Sequence, residues 1–226
     1  LPTACGFSSK RPGFMHACGH DGHTSVALEV CRWLVDHKDQ LKGTIKVLFQ
    51  PAEEGVRGAG AMAASGVVDD VDTLIGAHVG TFMTAYTEKQ YVEEMIATRR
   101  KIHQTPEEGW TEFQTTWLVA ERLRALGLKV LLGTQVINPK AVMGRDPKLV
   151  EAAIKRALAA GVPQSFIDET GGYTGAVAVL ETGRPGPVTA FRSDMDCVLV
   201  TESDSPDHLP TACGFSSKRP GFMHAC

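Results

Sequence analysis

The stretch TIKVLFQPAEEG, residues 44–55, decides the fold of this chain. Residues 44–49 form an apolar run of the length expected for a buried β-strand, and the polar segment QPAEEG follows it directly. Mainly parallel sheets bind ligands at the carboxyl ends of their strands, which is where Glu53 and Glu54 lie. One glutamate of such a pair can bind a metal ion while the other acts as a general base; away from a site, the pair would be a solvated surface feature.

The segments around this strand alternate between helical and strand patterns. Helices are predicted at residues 23–34, 57–65, 88–127 and 147–160, with a break near Thr105 and Pro106, and strands at residues 73–77, 129–132, 176–180 and 188–191. This alternation predicts an α/β fold, a three-layer sandwich with a mainly parallel central sheet.

A second stretch, MHACGHDGHT at residues 15–24, concentrates candidate metal ligands. Cys18, His20, Asp21 and His23 lie within six residues, and the glycines between them let the backbone bend so that the side chains converge. Divalent first-row metals prefer thiolate and imidazole ligands. No C-x-x-C pair accompanies them, so the stretch favours the metal site of an enzyme over a zinc finger or a buried cysteine beside surface histidines.

Two further groups follow predicted strands. His78 comes directly after residues 73–77, and Asp194 and Asp196 follow the strand at residues 188–191. The aspartates could orient a metal-bound histidine or bind metal themselves. Either group alone is also compatible with a structural role; their position at strand ends connects them with the glutamate pair.

The segment LPTACGFSSKRPGFMHAC occurs twice, at residues 1–18 and 209–226. Structural repeats diverge and follow one another in tandem, so identity at opposite ends indicates a longer sequence that was reordered with an overlap. The natural order then runs from Met83 to Cys226 and continues from Gly19 to Phe82. Residues 83–226 become the N-terminal part of a catalytic domain, and residues 1–82 its second part. We expect one copy to be disordered, or the two copies to be pieces of one segment that lie in different molecules, and Cys226 to bind no metal.

Composition narrows the classes of protein. With 43% hydrophobic and 22% charged residues and a net charge of −3, the chain is typical of a soluble globular protein without affinity for nucleic acid or anionic membranes. The basic residues 99–101 are interpreted as a solvated helix face. No apolar run reaches the roughly 18 residues of a membrane span, no signal peptide is visible, and the scattered cysteines favour the cytoplasm.

The motifs HACGHDGHT, QPAEEG, GAHVG, FRSDMD and RRKIHQTPE together resemble the signatures of the metallopeptidase-like amidohydrolase family, of the aminoacylase and hippurate hydrolase type. The resemblance covers nearly every residue once the order is rearranged. Within the family, the chain is most similar to the p-aminobenzoyl-glutamate hydrolase group, through residues 136–144, GGYTG at 171–175 and TGRPGP at 182–187.

The resemblance implies a zinc-peptidase-like catalytic domain that holds two divalent metal ions, Mn²⁺ or Zn²⁺. Cys18 would be the bridging thiolate, and His20, Glu54 and His78 further ligands. Glu53 would be the general base that takes a proton from the metal-bridging water and returns it to the leaving amine. Asp196 would support the metal cluster from behind.

The family pattern is only partly present. The lid and dimerisation domain has no counterpart, and none of the eight histidines matches the last metal ligand. We therefore expect an incomplete form of an enzyme that cleaves N-acyl or N-aroyl amino acids, most concretely p-aminobenzoyl-glutamate, and that forms a homodimer or a hetero-oligomer with a related subunit. The alternatives are a non-catalytic metal-binding or subunit-interaction fragment, and a thiol redox protein using Cys18, which would lack a resolving cysteine in a C-x-x-C pair.

Overall fold

Five strands and six α-helices make up the described part of the chain, residues 18–78 and 89–197 of a computed structural model. In chain order they are α1 (His20–Asp36), β1 (Thr44–Gln50), α2 (Gly58–Ala63), β2 (Thr73–Gly76), α3 (Lys89–Gln104), α4 (Phe113–Ala125), β3 (Lys129–Leu132), α5 (Pro147–Ala159), α6 (Gln164–Thr170), β4 (Ala176–Glu181) and β5 (Val188–Asp194).

The strands form one sheet in the order β2-β5-β1-β4-β3. β2 and β5 are parallel to β1, whereas β4 is antiparallel both to β1 and to β3. Four of the five strands therefore point in the same direction, and β4 alone in this sheet is reversed. The predicted α/β fold with a mainly parallel sheet, flanked by helices, is confirmed.

The reversed strand follows from the turn between β4 and β5. Both strands flank β1, so the TGRPGP turn has to cross over the start of β1 at Gly43. There the Gly43 N–H donates to the Arg184 carbonyl at 2.9 Å, and a Cβ on Gly43 would lie 2.0 Å from the Pro187 carbonyl oxygen. The crossing consequently requires glycine at position 43.

The register of the parallel strands positions the candidate site. Gln50 at the end of β1 pairs with Asp194 at the end of β5, and Gly76 at the end of β2 pairs with Arg192. The carboxyl ends of all three strands therefore meet at one edge of the sheet, where a mainly parallel sheet binds its ligands.

The apolar core is shared between the sheet and the helices beside it. α1 contacts β5, β1 and β4, and it also packs against α3 and α4. The largest fully buried apolar side chains include Phe49, Trp110, Phe113, Leu123 and Ile137. Removing a large side chain of this kind leaves a cavity, so these residues contribute to the stability of the fold.

Several element boundaries differ from the sequence prediction by one to three residues. The helix predicted from residue 23 begins at His20, because Gly19 takes the left-handed N-cap position at φ 81° and Asp21 lies in the first turn, where the helix dipole favours a negative charge. The break that the sequence predicts near Thr105 and Pro106 is confirmed, because residues 105–112 separate α3 from α4. The short helix α6 was not predicted.

Several predictions concern parts of the chain outside the described residues. The boundary between residues 82 and 83 lies there, as do residues 1–17 and the whole second copy of the repeated segment. The division of the chain into two reordered parts, the disorder of one copy and the unmetallated Cys226 therefore stay predictions. None of the described helices combines the length and the apolar composition that crossing a membrane requires.

Candidate metal centre

Four segments bring polar side chains to the carboxyl edge of the sheet. The first turn of α1, with the two residues before it, contributes Cys18, His20 and His23; the loop after β1 contributes Glu53 and Glu54. His78 follows β2, and Asp194 and Asp196 end and follow β5. Every residue that the sequence predicts as ligand, base or supporting carboxylate thus lies at this edge.

The predicted ligands fall into two overlapping groups of donor atoms. Cys18, His20 and Glu54 offer donor atoms that all lie within 4.8 Å of one another, and so do His20, His23, His78 and Asp194. His20 belongs to both groups. The structure therefore brings together the four ligands that the resemblance implies and, with them, His23 and Asp194, which the sequence offers as candidate ligands.

His20 is held in a defined orientation by Asp196. Its Nδ1 lies 2.9 Å from the backbone oxygen of Asp196 and 3.4 Å from Oδ1 of the same residue. Nε2 consequently faces the other donors, at 3.8 Å from Glu54 Oε1 and 3.6 Å from Asp194 Oδ2. Burial disfavours the imidazolium, but the carboxylates of Asp196, Asp194 and Glu54 together outweigh this effect and raise the pKa of His20. A carbonyl or carboxylate behind a histidine is the usual support of a metal-binding imidazole.

The electrostatics of the cluster fit a divalent cation. Cys18 and Asp196 are buried, and burial raises the pKa of the Cys18 thiol, with Glu54 and Asp196 adding to the effect. Burial also raises the pKa of Glu54. Thiolate and carboxylate ligands packed this closely oppose one another's ionisation, and a transition metal ion would compensate their charge. Thiol, imidazole and carboxylate together are a donor set that suits Zn²⁺ or Mn²⁺.

Asp194 is the centre of the second donor group. It lies 3.4 Å from His23 Nδ1, contacts His20, and forms an ion pair with Arg192. Burial opposes its ionisation, but His23 and Arg192 hold the pKa of this carboxyl below its usual value. The ionised form is the one that can bind a cation.

The family resemblance gave no ligand role to His23 or Asp194, although the sequence offers both as candidate metal ligands. His20 and His23 are three residues apart and share one face of α1, a relation that was hidden because the helix was predicted to begin at residue 23. Asp194 and Asp196 were recognised as a pair, but the sequence could not show which of them faces the histidines.

Glu53 stands apart from both donor groups. Its Oε1 lies 4.0 Å from Arg192 Nη2, and its side chain is 39% exposed against 28% for Glu54. The two glutamates of the pair thus differ in environment: Glu54 reaches Cys18 and His20, and Glu53 lies at the rim beside a guanidinium. The predicted division of roles, with Glu54 as a ligand and Glu53 as the base, stays a prediction.

Arg99 and His103, in the part of the motif RRKIHQTPE that lies on α3, support the ligand segment. Asp21 is fully buried, and its Oδ2 lies 3.1 Å from His103 Nδ1 and 3.3 Å from Arg99 Nε. The sequence interpretation treated residues 99–101 as a solvated helix face. All three are exposed, yet Arg99 also pairs with the residue that follows His20.

The start of α2 fixes the loop that carries the glutamates, and it gives a testable prediction. A Cβ on Gly58 would lie 1.9 Å from the Pro51 carbonyl oxygen, whereas one on Gly60 of the same helix would meet nothing within 4 Å. We expect Gly58→Ala to destabilise the fold by about 1–3 kcal/mol, as overpacking does, and Gly60→Ala to stabilise it by up to about 1 kcal/mol. Urea unfolding of both variants measures the difference, and equal midpoints would show that this contact does not constrain the loop.

Comparison with known proteins places the chain in a family. The sequence pattern of Peptidase family M20/M25/M40 matches residues 1–188. A homolog of a p-aminobenzoyl-glutamate hydrolase subunit, from Haemophilus influenzae, is 42% identical over 136 residues, which are 60% of this chain and 32% of the relative. The corresponding p-aminobenzoyl-glutamate hydrolase subunit of Escherichia coli is 45% identical over 130 residues, 57% of this chain and 30% of that protein.

A further relative and a solved structure are similar over the same extent. The indole-3-acetyl-aspartic acid hydrolase of Enterobacter agglomerans is 41% identical over 61% of this chain and 32% of its own length. The aminobenzoyl-glutamate utilization protein from Klebsiella pneumoniae is 38% identical over 56% of this chain and 32% of that one, with a TM-score of 0.46. The chain thus spans about a third of each of these relatives. With the family pattern matched over residues 1–188, the chain belongs to the Peptidase family M20/M25/M40, as its motifs predicted.

Proposed function

We propose that the complete protein is a metal-dependent amidohydrolase that cleaves N-acyl or N-aroyl amino acids, with p-aminobenzoyl-glutamate as its substrate. The observation that carries the proposal is the convergence of Cys18, His20 and Glu54, with Glu53 beside them but outside both donor groups. The names of two relatives support this choice of substrate: one is a p-aminobenzoyl-glutamate hydrolase subunit and the other is a homolog of that subunit.

Each residue of the cluster has a role in this proposal. Cys18, His20, Glu54 and His78 would hold two divalent ions, Mn²⁺ or Zn²⁺, and His23 and Asp194 lie where they could assist. Bound metal would polarise the amide carbonyl and lower the pKa of water. Glu53 would take the proton of the attacking water and deliver it to the leaving nitrogen.

The supporting residues keep these groups in place. Asp196 Oδ2 accepts a hydrogen bond from the Glu54 backbone N–H at 2.9 Å, and the Asp196 backbone oxygen lies 2.9 Å from His20 Nδ1. One residue thereby fixes two proposed ligands from different segments. This is the supporting role that we propose for Asp196.

The proposal extends to chain order, location and assembly. Cys18 contacts the Asp196 backbone oxygen across 178 positions of this chain; in the proposed order, where Cys226 takes the place of Cys18, the separation is 30. The three described cysteines, Cys18, Cys31 and Cys197, are buried thiols, which supports a cytoplasmic protein. Relatives named as subunits support a homodimer or an assembly with a related subunit.

Removal of metal from the complete protein, with the two parts in the proposed order, tests the function. We expect release of p-aminobenzoate from p-aminobenzoyl-glutamate to be lost after treatment with a chelator and restored by Mn²⁺ or Zn²⁺, while hydrolysis of N-acetyl amino acids reports on the acyl group. Metal binding without hydrolysis of any N-acyl amino acid would instead favour the second candidate, a non-catalytic metal-binding or subunit-interaction protein.

A further inference from the structure

Ala52, directly before the glutamate pair, has a backbone conformation that its side chain disfavours. Its φ of 53° lies in the left-handed region, which costs a non-glycine residue roughly 1–2 kcal/mol and persists only where the surroundings enforce it. This residue lies two positions after the end of β1 and directly before Glu53 and Glu54.

The group that binds the Ala52 N–H is the carboxyl of Glu112. Glu112 Oε1 accepts this hydrogen bond at 2.7 Å, and Oε2 accepts one from the Thr174 hydroxyl, also at 2.7 Å. All three residues are fully buried. On its other side, the Ala52 carbonyl accepts from the Gly58 N–H at 2.8 Å. Both ends of this residue are therefore fixed.

Glu112 has no part in the chemistry proposed above, and it forms no ion pair within the described residues. Burial, with the charge of Asp196 adding to it, raises the pKa of this carboxyl well above the usual value. A protonated carboxyl matches the contacts as well as a carboxylate, since one oxygen accepts from Ala52 while the other shares a proton with Thr174.

We propose that Glu112 is a positioning residue that orients Glu53 through the Ala52 peptide. Glu53 is the residue between two fixed peptides: Glu112 binds the N–H of Ala52, and Asp196 binds the N–H of Glu54. Loss of either anchor leaves the left-handed turn to relax. The proposal rests on the proposed function of Glu53 as the base, and on the geometry of three buried side chains.

Steady-state kinetics of the complete, metal-loaded protein test the proposal. We expect Glu112→Ala to lower kcat about 10–100-fold with KM and metal content little changed, the size of effect that supporting residues of metal sites show. Glu112→Gln should restore most of kcat, because its amide oxygen can accept from Ala52 and its NH₂ can donate to Thr174. If Glu112→Gln is as slow as Glu112→Ala, or if both retain full kcat, the positioning role is wrong.

Glu107 provides the matched control. Like Glu112, it is a buried carboxylate of residues 105–112, the segment between α3 and α4. Its Oε2 accepts hydrogen bonds from the backbone N–H and the hydroxyl of Thr115 on α4, at 2.9 and 3.0 Å. Glu107→Ala should lower the melting temperature without changing kcat of the folded protein. An equal loss of kcat in this variant would show that general destabilisation, and no positioning effect, explains Glu112→Ala.

Amide hydrogen exchange separates this proposal from the proposed function. In Glu112→Ala, the backbone N–H groups of Ala52 and Glu54 should exchange faster than in the wild type, while exchange in the centre of α5 stays unchanged. If Glu112→Ala does not fold, Thr174→Val takes its place in this experiment. This readout requires no turnover. Unchanged exchange at both residues overturns the positioning role, whereas faster exchange in a protein that hydrolyses no amide would overturn only the proposed function.

Discussion

Glu53→Gln in the complete protein is expected to lower kcat for amide hydrolysis by about 10²–10⁴-fold, the usual contribution of a positioned general base. The amide keeps the size and the contacts of the side chain but cannot accept the proton of the attacking water. Because Glu53 lies outside both donor groups and beside Arg192, the variant should keep its full metal content. Turnover of p-aminobenzoyl-glutamate and elemental analysis of the same sample measure the two quantities.

Two other glutamates make this prediction sharper. Glu54→Gln should lose metal together with activity, since Glu54 contributes a donor atom within 4.8 Å of those of Cys18 and His20. Glu151→Gln, on the exposed side of α5 and paired with Lys155, should change neither. If Glu53→Gln loses metal and activity in equal measure, Glu53 is a ligand and the role of the base moves to Glu54.

The sheet was predictable because its strands are short apolar runs bounded by turn residues. β3 has the predicted bounds, and β1 is longer than predicted by one residue, Gln50. The reversal of β4 was not predictable, since it depends on how the TGRPGP turn crosses over Gly43 between strands distant in sequence. Helix α6 was missed because it has only seven residues, too few to show a helical period.

The candidate site was predictable as far as its residues lie in contiguous motifs. Cys18, His20, Glu53 and Glu54 stand beside glycines and strand ends, so local spacing indicated a metal site. Glu112 carried no such signal. Its contacts with Ala52 and Thr174 bridge 60 and 62 positions, and nothing in the sequence around it indicates a buried carboxyl.

Long-range contacts also explain why the motif RRKIHQTPE could not be interpreted from the sequence. His103 lies on α3 and reaches Asp21 across 82 positions. The ion pair with Asp21 gives this helix a role in supporting the ligand segment, although its basic residues look like a solvated face. A motif whose residues contact another segment thus reveals its chemistry only when both segments are in place.

Replacement of Cys18 by serine together with His20 by alanine should abolish metal binding, because it removes a donor from each group. Cys18 belongs to the first group, and His20 is common to both. In protein purified without a chelator, we expect Mn or Zn at a substantial fraction of one ion per chain in the wild type and at background level in the double variant. Thiolate and imidazole bind these ions more tightly than water or a hydroxyl group does.

Cys31→Ser distinguishes loss of the site from loss of the fold. Cys31 is a fully buried thiol of α1, and Cys18, two residues before this helix, is buried to the same extent. Cys31 differs in that it lies in the apolar core and outside both donor groups. The serine should lower stability by about 1–3 kcal/mol, because burial leaves its hydroxyl poorly hydrated, and the metal content per folded chain should stay at the wild-type level. If instead the Cys18 and His20 double variant retains the wild-type content while it is folded, these residues do not form the metal site, and the assignment of Glu54 and His78 as ligands loses its basis.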